Sequence, residues 1–450
     1  MSKKINLTKG LDIKLVGETE KILENSSVSE TYMIKPTDFF GLTPKLMVKE
    51  GAEVKAGSPL FYDRNRDNIL FTSPVSGEIV EVVRGEKRKV LGVKILADKE
   101  IKYEDLGTAN PESLSKEQIV EKMLKSGVWP LVRQRPFSIV ANPADQPKAI
   151  HVSCFSTSPL SADSDFEIHG QKEDFTTGIE ALKKLTTGVV HLNVRGDVPV
   201  VEEIKAQKGV QLNYFQGPHP AGNVGVQIHH IDPINKGEVV WYLSPKDVLI
   251  VGRLFNKGVY DASKLVALAG SKAKKRKYYK SIIGASVKSV VAGNIEEGNN
   301  RIISGNVLTG TKVSPEGYIG YYDNQLTVIP EGDYHEFMGW IAPGLEKFSM
   351  SRTFFSWLMP AKKYDLDTNK HGELRAFVVT GQYEKVFPMD IYPVQLLKSI
   401  LVEDLEKMEN LGIYEVDPED FALCEFVCTS KINSQEIVKK GIETMLKEMA

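Results

Sequence analysis

The chain has 450 residues, beyond the length at which one hydrophobic core keeps growing, so we expect three or four domains. Its 57 lysines and arginines against 59 aspartates and glutamates leave a formal charge of −2, which gives no reason to expect nucleic acid as a partner. Three cysteines are too few for the disulfide framework of a secreted protein, and no apolar run approaches the ~20 residues of a membrane helix. We therefore expect a protein of the reducing cytoplasm.

Short β-branched segments separated by glycine and proline occupy residues 32–96 and predict a small β sandwich or barrel in a first domain, residues 1–105. Within it, VKEGAEVKAGSPLF and SPVSGEIVEVV resemble the two halves of the biotinyl/lipoyl barrel-sandwich fold. A carrier domain of that fold presents a modifiable lysine on the hairpin between its halves. The hairpin here, residues 61–76, contains no lysine and offers Asp63, Arg64, Asn65, Arg66 and Asp67. We therefore expect a structural or docking module without a lipoyl or biotinyl group.

The second predicted domain, residues 106–257, alternates helices and strands. PESLSKEQIVEKMLKSGVWPLV begins with helix-capping residues before apolar positions at helical spacing. After it, AIHVSCF, GVVHLNV and VQLNYF are typical of buried strands, and TTGIEALKKL and EEIKAQKG of helices. This alternation predicts a Rossmann-like α/β domain with a doubly wound sheet, whose last part, residues 238–255, we expect to be rich in strands.

Two more domains complete the predicted α/β multidomain chain. In residues 258–332 the order of an apolar strand, an amphipathic helix and a glycine-rich return resembles the β-grasp, ubiquitin-like (SLBB) fold. Residues 333–450 begin with aromatic-rich loops and continue with helices such as PVQLLKSILVEDLEKMENLG and SQEIVKKGIETMLKEM, which predicts a C-terminal helical domain.

Five phrases in a fixed order carry a family resemblance: KGLDIKL, SGVWPLVRQRPFS, GPHPAGNVGVQIHHIDP, FPMDIYPVQLLKSIL and ALCEFVC. With them the chain resembles, over essentially its whole length, the A-subunit family of the Na⁺-translocating NADH:quinone oxidoreductases (Na⁺-NQR). It is more distantly similar to the flavin-carrying NADH-oxidising subunit of respiratory complex I and to the C-subunit of the Rnf complex. The resemblance implies a peripheral subunit on the cytoplasmic face of the bacterial inner membrane. Its partners would be the other members of a six-subunit complex, above all the membrane-embedded ones, which together pass electrons from NADH to ubiquinone or menaquinone and export Na⁺.

The segments that hold the flavin in those more distant relatives are replaced in this chain. A flavin phosphate needs a glycine-rich loop, because only glycine lets backbone N–H groups close around the phosphate. The corresponding text has one glycine, Gly127, followed by Val128, Trp129 and Pro130. We therefore expect no FMN.

The iron–sulfur ligands of the same relatives are also missing. A [4Fe–4S] cluster needs four thiolate ligands, whereas this chain has only Cys154, Cys424 and Cys428. The spacing of Cys424 and Cys428 suits one helix face, and Cys154 would have to come from another domain. We expect small core cysteines, no iron–sulfur cluster and no tightly bound redox cofactor, so the isolated chain is predicted not to be catalytic.

A quinone headgroup needs a slot with aromatic or aliphatic walls and one or two donors for its carbonyl oxygens. Residues of these types stand where the relatives cradle flavin: Trp129, Arg133, Gln134, Arg135 and Phe137. In this interpretation Arg133 or Arg135 donates to a carbonyl oxygen, and Trp129 or Phe137 packs on the ring. In the alternative interpretation the two aromatic residues fill the vacated pocket and the arginines pair with carboxylates.

Two clusters of ionisable residues support weaker hypotheses. His219, His229 and His230 lie in glycine- and proline-rich text, where loop geometry or core hydrogen bonding is favoured over catalysis. On a strand the adjacent pair would point to opposite faces and would not share a metal. The run KAKKRKYYK, from Lys272 to Lys280, is either a solvated loop or a contact for anionic lipid or an acidic partner.

An aromatic stretch of poor periodicity favours an interface or a ligand slot over an isolated helix core. Its apolar members are Met338, Trp340, Phe348, Phe354, Phe355, Trp357 and Leu358. Two alternatives to a quinone-reductase subunit stay open at this point: an autonomous flavin- and NADH-dependent oxidoreductase, and a non-redox binding module.

Overall fold

A computed structural model describes residues 2–24, 29–339 and 341–448. Its strands and helices form successive packed parts along the chain. The N-terminal segment, residues 2–24, contributes one strand to each of two later sheets. Strand β1 (Lys4–Asn6) joins the sheet of the second part, and β2 (Leu23–Glu24) joins the sheet of the third. Trp340 lies outside the described residues.

Residues 31–97 form two small antiparallel sheets that share an apolar core. A four-stranded sheet has the order β3-β9-β8-β5, and a three-stranded sheet has the order β4-β6-β7. The glycines and prolines of the sequence fall mainly between the strands, which are β3 (Thr31–Ile34), β4 (Pro44–Leu46), β5 (Glu53–Val54), β6 (Pro59–Asp63), β7 (Arg66–Thr72), β8 (Gly77–Arg84) and β9 (Val90–Ala97).

The hairpin between β6 and β7 is docked on the second part of the chain. Arg66 donates from Nε to the buried Asp63 carboxylate over 3.0 Å and from Nη1 to the Val140 carbonyl oxygen over 2.8 Å. The position that carries the mobile lysine in a carrier domain is therefore a fixed contact here.

The second part is built on a seven-stranded sheet of order β1-β14-β13-β12-β15-β10-β11. The five strands from β1 to β15 are parallel, and β10 and β11 continue the sheet antiparallel. These strands are β10 (Arg133–Arg135), β11 (Ile139–Val140), β12 (Ala149–Ser153), β13 (Val189–Arg195), β14 (Gln211–Gln216) and β15 (Val240–Leu243). The helices between them are α1 (Lys116–Ser126), α2 (Ser164–Ile168), α3 (Lys172–Leu185), α4 (Glu202–Lys205), α5 (Val224–Ile231) and α6 (Pro245–Lys257).

Two local expectations for this part are wrong. Residues 238–255 are not a strand-rich stretch, because a capping box at Ser244 and Asp247 starts the helix α6 directly after the four residues of β15. The pair His229 and His230 lies in the last turn of α5 and not on a strand.

The third part contains a six-stranded mixed sheet of order β19-β18-β20-β16-β17-β2. Its elements are β16 (Ser263–Ala269), β17 (Tyr278–Ile282), the short helix α7 (Lys288–Val291), β18 (Asn300–Ser304), β19 (Thr311–Val313) and β20 (Gln325–Pro330). Residues 331–339 and 341–382 then run with little regular structure, apart from a 3₁₀ turn at Phe355–Leu358.

The C-terminal part is helical and has its own apolar core, which also takes in residues from the N-terminal segment such as Ile13 and Leu15. Its helices are α8 (Tyr383–Val386), α9 (Pro393–Leu401), α10 (Leu405–Asn410), α11 (Ala422–Val427) and α12 (Ser434–Glu448). Across residues 2–24, 29–339 and 341–448, no helix combines the length and the apolar character that crossing a membrane requires.

Candidate functional site

The segment 129–137 begins where α1 ends. Gly127 closes that helix in the left-handed region with φ of 74°, and a Cβ there would lie 2.0 Å from Oγ1 of Thr72. Glycine at this position therefore serves close packing against β7 of the N-terminal part. The residues that follow make a 3₁₀ turn, Trp129–Leu131, and then enter β10.

Trp129 and Gln134 are parts of the core on one side of the sheet. Trp129 is fully buried, donates from Nε1 to the Ala141 carbonyl oxygen over 2.8 Å and meets the Trp241 ring edge-on at 5.4 Å. The buried Gln134 stands opposite Trp241 in the β10–β15 register, and its side-chain oxygen accepts from the backbone N–H of Asn142 over 2.8 Å. Each of these two side chains is already engaged within the protein.

Arg133 lies on the opposite face of the sheet from Gln134. Its guanidinium lies between the rings of Tyr242 and Tyr322, 4.5 Å from each centroid. Such stacking leaves hydrogen-bond capacity unused, and Nε of Arg133 has no partner in the described part of the chain. Burial works against its charge, but the surrounding tyrosines and carboxylates outweigh burial and raise its pKa.

Arg135 shares that face and joins the sheet to the C-terminal part. It is fully buried, and its guanidinium nitrogens lie 2.8 Å from Glu419, 3.4 Å from Asp420 and 3.6 Å from Asp417. Burial raises the pKa of Asp420 to about 7 although Arg135 opposes the shift. Phe137 packs beside this cluster, with its ring 5.9 Å from that of Tyr414 in an edge-on contact.

The five predicted quinone residues are thus adjacent in sequence but divided in space. The sheet separates Trp129 and Gln134 from Arg133 and Arg135, because successive side chains of β10 point to opposite faces. None of the five lines either of the two described cavities.

The larger of these cavities has a volume of about 760 Å³ and lies where four segments meet. Ile13 and Leu15 come from the N-terminal segment, Ile303 from β18 and Cys428 from the end of α11. The fourth wall is the irregular stretch after β20, with aromatic and aliphatic side chains of which Phe348, Phe354 and Leu366 are typical.

Charged side chains also reach this cavity, and most of them are paired. Lys347 binds Glu336, and Asp365 lies 3.6 Å from Lys272. Lys370 and Lys431 line the same cavity and have no ion-pair partner in the described structure. The cavity therefore combines apolar walls with unpaired donors, which is the composition expected of a site for a largely apolar ligand.

The three histidines of the GPHPAGNVGVQIHHID text do not form one site. Nδ1 of His219 lies 3.1 Å from Oγ1 of Thr157, and burial lowers the pKa of this histidine to about 4. His229 lies 2.7 Å from the Glu415 carboxylate, and His230 lies 2.9 Å from the carbonyl oxygen of Val226 in its own helix. Among the described residues no group of histidine, cysteine and acidic side chains is arranged to hold a metal ion.

The basic run from Lys272 to Lys280 begins in a loop and ends in β17 of the third sheet. Lys277 lies 2.7 Å from the Glu24 carboxylate, and Lys275 lies 3.9 Å from the same group. Tyr278 and Tyr279 are buried members of β17. Acidic residues of the chain itself therefore engage part of this charge.

Reasoning from the sequence did not identify a buried polar ladder that crosses three parallel strands near α5. Asn193 donates to Gln227 over 3.0 Å, Asn213 donates to Asn193 over 3.0 Å, and the His151 and His191 rings lie 4.5 Å apart. Burial lowers the pKa of both histidines, that of His191 to about 4. The available signal was a pair of polar residues two positions apart in each strand-like segment: HVS, HLN and QLN.

Comparison with known proteins covers almost all of the chain. Family models match residues 5–98 (NqrA N-terminal barrel-sandwich hybrid domain), 114–260 (NqrA second alpha/beta domain) and 265–314 (NQRA C-terminal domain). The A-subunit of the Na(+)-translocating NADH-quinone reductase of Rhodopirellula baltica is 36% identical over 98% of both chains. The A-subunit of Yersinia pestis is 37% identical over 95% of this chain and 96% of the relative. The A-subunit of Photorhabdus laumondii is 35% identical over 99% of this chain and 100% of the relative.

Among solved structures, an NAD⁺-reducing [NiFe]-hydrogenase aligns with 68% of this chain and 55% of its own at 10% identity. Its TM-score is 0.36.

Proposed function

This chain belongs to the A-subunit family of the Na⁺-translocating NADH-quinone reductases, and we propose that it works as a subunit of such a complex. The observation that carries the proposal is the match at 36% identity over 98% of both chains. The complex would transfer electrons from NADH to ubiquinone or menaquinone and export Na⁺. Because partners would hold this chain at the membrane, recovery of the other subunits from solubilised membranes with the tagged full-length chain tests the proposal directly.

Within that function we propose that the chain contributes no redox cofactor of its own. In support, Gly127 packs on Thr72, and the residues after it, Val128 and Trp129, are fully buried where a flavin phosphate would need open backbone N–H groups. The second part then serves as a Rossmann-like scaffold and the third as a β-grasp domain. A flavin band in the absorption spectrum of the purified chain would contradict this view. So would stoichiometric iron that is lost in Cys424→Ser or Cys428→Ser.

The role we favour is assembly, through an apolar surface on the irregular stretch after β20. Phe337 is 92% exposed, Phe355 58% and Leu358 61%, and further large apolar side chains nearby are also exposed, among them Ile341, Leu345 and Trp357. Exposed large apolar side chains concentrated in one segment are typical of an interface with another subunit. We expect the membrane-embedded subunits of the complex to cover it.

Serine substitutions test this surface. Burying a phenylalanine or leucine side chain is worth about 1.5–3 kcal/mol, so Phe337→Ser, Phe355→Ser or Leu358→Ser should each lower recovery of partner subunits at least about tenfold. Val402→Ser is the matched control, because Val402 is 72% exposed but lies on the C-terminal helical part. Equal recovery for all four variants would place the interface elsewhere.

A second candidate role, quinone binding, is favoured by the 760 Å³ cavity, since ligand pockets commonly enclose ~300–1,000 Å³ with mainly apolar walls. We propose that a quinone lies there, with its ring against Phe348 and a carbonyl oxygen near Lys431. This differs from the site predicted at residues 129–137, and the two are compared by quinone titration of folded variants. Phe348→Ala and Lys431→Met should weaken binding roughly tenfold to a hundredfold. Losses confined to Arg133→Ala, Arg135→Ala and Phe137→Ala would instead favour the earlier site.

A further inference from the structure

The large cavity contains a nucleophile that the proposed function does not use. Cys428 is a free cysteine at the end of α11, it is 4% exposed, and its side chain belongs to the cavity wall. The backbone N–H of Ile432 donates to its sulfur over 3.4 Å and fixes the direction of the thiol. Cys424, one turn earlier, is fully buried and is not among the described wall residues.

Two polar residues lie close to this sulfur. The hydroxyl of Tyr383 is buried and has no nitrogen or oxygen hydrogen-bond partner in the described structure. Burial is the main cause that raises the pKa of this hydroxyl, and the adjacent Cys428 raises it further. Lys431 belongs to the same wall, and its ammonium group interacts electrostatically with Cys428.

The cavity also gives a solute a route to the sulfur. Lys370 and His371 line it and are exposed, so the cavity communicates with solvent. Its volume of about 760 Å³ accommodates a two-ring quinone. The cavity beside Cys154, by contrast, has a volume of about 20 Å³, so that cysteine has no space for such a molecule.

We propose that Cys428 is a covalent acceptor for quinones that carry an open ring carbon next to a carbonyl and enter this cavity. The inference rests on the second candidate role, quinone binding in the same cavity. The thiolate sulfur forms a C–S bond to the open carbon, and the ring rearranges to a hydroquinone thioether. One hydroxyl proton comes from the thiol and the other is the hydrogen that leaves the attacked carbon, so no further oxidant or reductant is needed. Fully substituted quinones have no open carbon and bind reversibly.

Labelling of the full-length chain with menadione, a naphthoquinone with one open ring carbon, tests the proposal by intact mass and peptide mapping. We expect one menadione adduct, located at Cys428. The rate of labelling should fall at least about tenfold in Cys428→Ser and stay unchanged in Cys424→Ser. Leu366→Trp narrows the cavity but keeps the thiol, so it should also slow labelling. This variant provides the test if Cys428→Ser does not fold.

A fully substituted short-chain ubiquinone added as competitor separates this inference from the proposed role. Protection of Cys428 by the competitor supports both. Labelling of Cys428 that the competitor does not slow would leave the acceptor in place and overturn binding of fully substituted quinones in the cavity. A chain that binds the competitor at this cavity but shows no adduct at Cys428, or an adduct only at Cys424 or Cys154, would overturn the inference.

Discussion

Replacing Arg135 by alanine tests how firmly the C-terminal part is held on the seven-stranded sheet. The buried guanidinium lies 2.8 Å from Glu419, 3.4 Å from Asp420 and 3.6 Å from Asp417. Removing one partner of a buried ion pair costs roughly 3–5 kcal/mol, because the remaining charges stay buried without compensation. Burial raises the pKa of Asp420 to about 7, so protonation relieves part of the cost at neutral pH. We therefore expect a loss near the lower limit, about 3 kcal/mol.

The assay is thermal unfolding followed by tryptophan fluorescence, with Arg195→Ala as the matched control. A loss of about 3 kcal/mol should lower the melting temperature by roughly 5–10 °C. Arg195 also pairs closely with a carboxylate, at 2.6 Å from Asp197, but its side chain is 51% exposed. An exposed pair contributes about 0–1 kcal/mol, so the control should melt within ~3 °C of the parent. Equal melting temperatures for the two variants would refute the view that burial makes the Arg135 cluster important.

Other parts of the fold give further expectations. Burial lowers the pKa of His191 and His219 to about 4 from an ordinary value of 6.5, so the unfolded chain takes up protons first as the pH falls. The free energy of unfolding should therefore decline as the pH falls from 6.5 to 4, by about 3 kcal/mol per histidine. Measured by urea unfolding, this decline should be shallower in His191→Gln than in the parent chain. Gly178→Ala places a Cβ 2.3 Å from a carbonyl oxygen of α6 and should cost about 1–3 kcal/mol in urea unfolding. Gly441→Ala meets side-chain atoms of Ile400 from 2.9 Å but no backbone atom, so it should cost less. Intact mass of the chain from its native host should show no lipoyl or biotinyl addition on the β6–β7 hairpin.

Local signals predicted local structure well. The text SLSKEQ predicted a capped helix, and Ser115 and Gln118 form the capping box that starts α1. The paired glycine–proline phrases of the N-terminal domain match a barrel-sandwich family model over residues 5–98. Both signals succeed because the interactions that produce them join residues a few positions apart.

Local signals misled where a segment was uniformly apolar or rich in glycine and proline. The text VVWYLSPKDVLIVGRLF contains a buried strand and a buried helix, and burial on all sides removes the periodicity that distinguishes them. The capping residues Ser244 and Asp247 were the usable signal. Around His229 the glycines and prolines concealed a helix of eight residues, Val224–Ile231.

The candidate cavity was beyond prediction for a different reason. Its wall joins Ile13 and Leu15 to Cys428, and no local pattern reports a contact between the two ends of the chain. The poor periodicity of the aromatic stretch predicted an interface or a ligand slot. Phe348 and Phe354 line the cavity, whereas Phe355 and Trp357 are exposed, so the stretch has members both in the cavity wall and on the surface.

The segment 129–137 shows how the same residue types fit two opposite functions. Arginines and aromatic rings close together in sequence look like donors and walls for a ligand when only the sequence is considered. Asp417, Glu419 and Asp420 lie far along the chain and occupy the guanidinium of Arg135, which supports the interpretation in which the arginines pair with carboxylates. The same ion-pair cluster joins the seven-stranded sheet to the C-terminal helices, so Arg135 has a structural role that the sequence alone does not reveal.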